Sequence, residues 1–154
     1  MDKTTFGNYL AVAQMNYEMN PSLLLPKEHV AFVLTLTGDD YDGLKAFVQN
    51  QRKTRQEGKK ASLLKTWSVV EKINEDLYDR GTKFYIAFMD RVMELPPKAQ
   101  YLVITAQEKS EKSLDVDAIS MWFIIEVAKL DESEQDQMDV IFPGLKNVAK
   151  QFAN

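Results

Sequence analysis

The chain has 154 residues, of which 45% are hydrophobic and 27% charged. This suits a single domain of the usual roughly 100–150 residues, so residues 1–154 are read as one soluble helical domain. The absence of Cys excludes disulfides, thiolate metal sites, iron–sulfur clusters and thiol nucleophiles, and the single histidine, His29, excludes any multi-histidine metal site. Net charge is −4 but uneven. From Lys45 to Lys65, seven bases (Lys45, Arg52, Lys53, Arg55, Lys59, Lys60, Lys65) stand against one acid, Glu57, giving +6; the other 12 bases and 22 acids give −10. The opening Met1-Asp2-Lys3-Thr4-Thr5-Phe6 has no basic segment followed by an apolar one. The densest apolar run, Met121 to Ile125, is far short of the ~20 residues that cross a bilayer, so we expect no signal peptide, no membrane span and a cytoplasmic protein.

Taken in chain order, Thr5 to Asn20 carries Phe6, Tyr9, Leu10, Val12, Ala13, Tyr17 and Met19 and reads as a helix closed by Asn20-Pro21. Pro26 is placed to open a second helix running through Val30, Val33 and Leu36 to a Gly38 cap, although 31–37 has the β-branched and aromatic content of a strand. Asp39 or Asp40 is a suitable N-cap for a third helix bearing Tyr41, Leu44, Phe47 and Val48. No apolar residue follows from Gln49 to Lys60, which makes this stretch an exposed helical extension or a loop. Lys59 to Tyr78, with Leu63, Trp67, Val70, Ile73 and Leu77 at helical spacing, predicts one continuous helix stopped by Gly81.

Thr82 is then the expected cap of a helix through Tyr85, Phe88, Met89, Val92 and Met93 that ends at Leu95-Pro96-Pro97. Pro97 opens the next, bearing Ala99, Leu102, Val103 and Ala106, with a strand over 101–105 as the alternative. Leu114 to Leu130 is apolar on more than one side and reads as a central helix. Ser133 with Asp136 resembles an N-terminal cap ahead of Met138, Ile141 and Phe142, and after Pro143-Gly144 a last amphipathic segment carries Leu145, Val148, Ala149 and Phe152. The expected fold is all-α, a compact bundle of about seven or eight short helices, with a minor hairpin of 31–37 and 101–105 as its variant.

Near-matches to catalytic and ligand-binding motifs all break down on inspection of their chemistry. Asp40, Asp42 and Gly43 fit positions of a calcium-binding loop whose first ligand and bidentate acid would be Gly38 and Gln49, neither of which can serve. Gly38 to Lys45 has glycines and a lysine like a phosphate-binding loop, but Ala46 replaces the hydroxyl and three carboxylates would oppose the phosphates. Ser62 and Lys65 have the spacing of a Ser–Lys catalytic pair without its partner motifs. His29 has no evident partner as a general base, and Asp76 with Asp79 or Asp115 with Asp117 are explained as caps and solvated helix faces. We therefore expect no catalytic residue, metal or cofactor.

What remains is binding. The basic patch Arg52, Lys53, Arg55, Lys59 and Lys60 is rich in donors for phosphates, but lacks interleaved aromatics, and the acidic chain as a whole opposes non-specific DNA affinity. The acidic patch Asp131, Glu132, Glu134, Asp136 and Asp139 contains no base and is able to pair with the basic patch, within one chain or between subunits. The leading expectation is a non-catalytic protein–protein interaction or assembly protein, self-association included, and the second is a nucleic-acid-binding regulator using 45–65. A small carboxylate-dependent enzyme comes third.

Overall fold

The computed structural model describes residues 1–19 and 25–153. Among these residues the protein has nine α-helices, two 3-10 turns and no strand. The expected hairpin is therefore absent: residues 31–35 belong to a helix and 101–105 lie inside another. The chain divides into two compact units, one of residues 1–21 and 28–86, the other of 22–27 and 87–154.

In the first unit, α1 (Lys3–Met19) opens with Asp2, whose carboxylate accepts from the Thr5 amide at 2.8 Å. The expected closure at Asn20-Pro21 lies outside the described residues. Helix α2 (Lys27–Thr35) is tied to α1 by Gln14, whose amide donates to the Val33 and Leu36 carbonyls at 3.0 and 2.9 Å. Gly38 does not end a helix but starts a 3-10 turn, Gly38–Asp40, capped by Thr37. Asp40 then holds the N-cap position of α3 (Tyr41–Gln56) without capping it, because its carboxylate is used elsewhere.

Helix α3 continues well past its last apolar residue, so 49–56 is the helical extension and not a loop. A polar tie holds it there, Asn50 donating to the Thr66 carbonyl at 3.2 Å, while Thr54 bonds back within the helix to the Asn50 carbonyl at 2.7 Å. Gly58 at φ +73° ends it in a Schellman motif, with its own amide bonded to the Arg55 carbonyl and that of Lys59 to the Thr54 carbonyl.

The helix expected over 59–78 is broken. Residues Leu63–Trp67 form α4, Ser68–Val70 a 3-10 turn, and α5 begins only at Glu75 and runs to Met93. Asn74 makes the new start, accepting from the Leu77 amide at 3.0 Å. Neither Gly81 nor Thr82 is a terminus; both lie within α5. A Cβ on Gly81 would sit 2.4 Å from Trp67 Cζ2, so this glycine gives the indole room against the helix. Trp67 is the centre of the unit's core, edge-on to Phe47 and Phe32 and donating to the Tyr78 carbonyl at 3.2 Å, with Leu10, Leu36, Val70 and Leu77 around it.

The second unit takes the end of α5, then α6 (Pro97–Lys112), α7 (Val116–Ala128), α8 (Glu132–Ile141) and α9 (Leu145–Lys150). Pro97 starts α6, where its missing N–H costs nothing. Asp115 caps α7, accepting from the Ala118 amide at 3.1 Å. Helix α8 begins two residues ahead of the expected Ser133 cap, in a capping box: Asp131 accepts from the Glu134 amide at 2.8 Å, and Glu134 accepts from the Asp131 amide at 3.1 Å. The core joins Val92, Leu102, Val103, Ile124, Val127, Met138, Ile141 and Leu145, with Phe142 edge-on to Phe88 and Phe123. The buried Gln135 amide donates to the Val127 and Leu130 carbonyls at 3.1 and 3.2 Å, satisfying the end of α7.

Candidate interaction surfaces

The basic patch is split between a helix and the loop after it. Arg52 and Lys53 are exposed on α3, Arg55 is half-buried in its last turn, and Lys59 and Lys60 are exposed beyond Gly58. Helical spacing puts Lys45, Gln49, Arg52 and Gln56 in one row, with Lys53 beside it, and all five are exposed. The opposite side of α3 buries Gly43 and half-buries Leu44 and Phe47. Lys59 lies 3.5 Å from Glu57.

The acidic patch has work within its own unit. Asp131 and Glu134 make the capping box of α8. Asp139 accepts from the Lys146 amide at 2.9 Å, and the Lys146 ammonium pairs with Glu132 at 3.2 Å and with Asp136. Hydrogen bonding to Asp136, opposed by desolvation and aided by Glu132, raises the Lys146 pKa above the ordinary lysine value. All five acids thus fasten α8 and its connection to α9. Lys146, seven residues beyond Asp139, reaches back to this cluster because the chain breaks at Pro143-Gly144 and α9 packs against α8.

Asp40 is the most buried carboxylate, and it faces inward. It accepts from the Thr37 amide at 2.9 Å, from Asn74 Nδ2 at 3.2 Å and from Arg80 Nη2 at 2.6 Å, while Arg80 also reaches Asp76 at 2.8 Å and the Thr35 hydroxyl at 2.9 Å. Asp40 is committed to this network, and Gly43 lies close against Leu77. Sequence reasoning missed Arg80, 40 residues from its partner, because nothing local marks the pair. Among the described residues no group of three or more His, Asp or Glu side chains is placed to hold a metal ion.

His29 is exposed on α2. Ser62 occupies the N-cap position of α4 without a side-chain cap bond, and Lys65 is exposed on that helix. Asp79 and Asp117 are exposed beside Asp76 and Asp115, whose carboxylates are engaged as described. A cleft of about 460 Å³ lies between the start of α6 and the end of α7, with Tyr101 and Leu102 as walls and Lys98, Glu126 and Lys129 as its charges. Glu126 and Lys129 pair at 2.8 Å along its edge.

Helices α1 and α7 combine a long uncharged run with apolar residues on their outer sides. Helix α1 has no charged residue from Thr4 to Tyr17, buries only Leu10 and exposes Tyr9, Val12, Met15 and Met19, with Tyr9 and Val12 at 63% and 56%. Helix α7 has none from Ala118 to Ile125 and exposes Met121 and Ile125. Among the described residues no helix is long and apolar enough to cross a membrane.

Fold and surfaces together define an all-α protein. No protein-family model, curated protein or solved structure matches the chain.

Proposed function

We propose that the protein is a non-catalytic interaction or assembly protein that acts through uncharged helical faces. The observation that carries this reading is α1: a helix apolar on both sides needs cover on both, yet only Leu10 is buried and Tyr9, Val12 and Met15 stand in solvent. Met15 and Met19 add flexible apolar surface suited to a partner's own apolar helix. Pull-down from the native host, with mass spectrometry of the captured proteins, tests it. Wild-type protein should retain a defined protein partner that the Val12→Lys, Met15→Lys double variant loses, without loss of stability, since both side chains are exposed. An unchanged set of partners in the variant would contradict the reading.

Nucleic-acid binding is the second reading, supported by the exposed row of Lys45, Gln49 and Arg52 with Lys53 beside it. Phosphate contacts through Arg52 and Lys53 would make the log of affinity fall against log salt with a slope of about −0.9 per contact on duplex DNA. Arg52→Ala with Lys53→Ala would flatten that slope. Under the leading reading the wild-type protein shows no such binding near physiological salt.

A further inference from the structure

Helix α7 is apolar around most of its circumference, and the charges beside its exposed strip identify what covers it. Its inner side buries Ile124 and Val127. On its outer side Met121 and Ile125 are 46% and 39% exposed, and Ala118 is exposed in line with them. Ala118, Met121 and Ile125 follow one another at steps of three and four residues, the alternation of a two-stranded coiled-coil seam, which ends at the half-buried Ala128 three residues on.

Asp115, Trp122 and Lys129 recur at seven-residue steps along one flank of the strip, with the N-capping acid at its start, the base at its end and, midway, Trp122 half-buried on the unit's core beneath Lys109. When such a helix meets an identical one running the opposite way, this flank meets itself, and Asp115 of each copy falls beside Lys129 of the other. A parallel pair would set the flank against that of Asp117 and Ile124, where Lys129 finds the buried Ile124 instead of an acid. Both charges are accessible: Asp115 is exposed while capping through Oδ1, and the contact of Lys129 with Glu126 is a surface pair of the weak i,i+3 kind.

We infer that a second copy of this chain covers the outer face of α7 by antiparallel self-pairing centred near Trp122. This rests on the interaction reading above and names the partner of one of its faces. Sedimentation equilibrium of the full chain over a wide concentration range tests it, with circular dichroism as the check on folding. Wild type should reach the mass of two chains, and Met121→Glu should remain at one with an unchanged spectrum. Asp115→Lys and Lys129→Asp should each weaken the dimer about tenfold, since each swap disrupts both symmetric pairs, and the double variant should recover it. Because Asp115→Lys also removes a helix cap, direction is tested separately: a Met121→Cys chain mixed with an Ile125→Cys chain should form disulfides between unlike chains in preference to like ones. A wild-type monomer at every concentration, a dimer indifferent to Met121→Glu, or a preference for like-chain disulfides would overturn the inference. Those outcomes leave the α1-dependent partner untouched, whereas loss of that partner with an intact α7 dimer counts against the α1 reading alone.

Discussion

Gly81 and Asp40 show how single residues in the first unit take their roles from distant contacts. A methyl group at Gly81 would meet Cζ2 and Cε2 of Trp67 at 2.4 and 2.9 Å, and the indole is held by Phe47 and the Tyr78 carbonyl. Overpacking of this kind costs about 1–3 kcal/mol, which outweighs the gain of about 1 kcal/mol from replacing a helical glycine. Gly81→Ala should therefore lower stability in urea unfolding. Gly7→Ala, in α1 with nothing within 4 Å, should raise it by about 0.5–1 kcal/mol. Equal effects of the two substitutions would contradict this packing. Asp40 keeps 3% of its side chain in solvent and Arg80 keeps 24%. Breaking a buried pair costs about 3–5 kcal/mol, and the partial exposure of Arg80 places Asp40→Ala near about 3 kcal/mol in the same measurement.

The elements themselves were largely legible, their joints less so. Apolar spacing located the helices over 97–112 and 116–128, and Pro97 and the Pro143-Gly144 break marked real boundaries. The continuous helix expected over 59–78 failed because periodicity continued through Val70, Ile73 and Leu77 while Asn74 supplied a stronger local instruction to restart. Ile73, expected inside, is accordingly 47% exposed. Conversely, α3 outlasted its apolar signal, and there Asn50 ties it to the Thr66 carbonyl in place of an aliphatic contact. Ser133 drew attention as a cap, yet Asp131 and Glu134 form the capping box of α8. Asp131→Ala should thus cost about 1 kcal/mol in thermal or urea unfolding, and Ser133→Ala within about 0.5 kcal/mol. The reverse order would place the start of α8 where Ser133 suggested.

At the scale of the whole molecule, charge and apolar surface are distributed differently. The first unit has as many acids as bases, so the net −4 resides in the second, where eight bases stand against twelve acids. The acidic cluster was plain in the sequence, but its partner Lys146 was not, and the clamp it forms on α8 and α9 directs those charges into the unit's own structure. The basic row on α3 was legible as composition, and became a helical face only with α3 extended to Gln56. The apolar content of α1 and α7 was plain in the sequence, but helical spacing does not say which of two apolar sides has a neighbour, so their exposed faces emerge only from the structure. The central claim, action through those two faces, is tested most directly by site-specific photo-crosslinking in the native host from Val12, Met121 and Arg52 of the full chain. The account predicts a defined protein adduct from Val12, an adduct with a second copy of the chain from Met121, and no nucleic-acid adduct from Arg52. Nucleic-acid adducts from Arg52 with no protein adduct from either apolar face would contradict it.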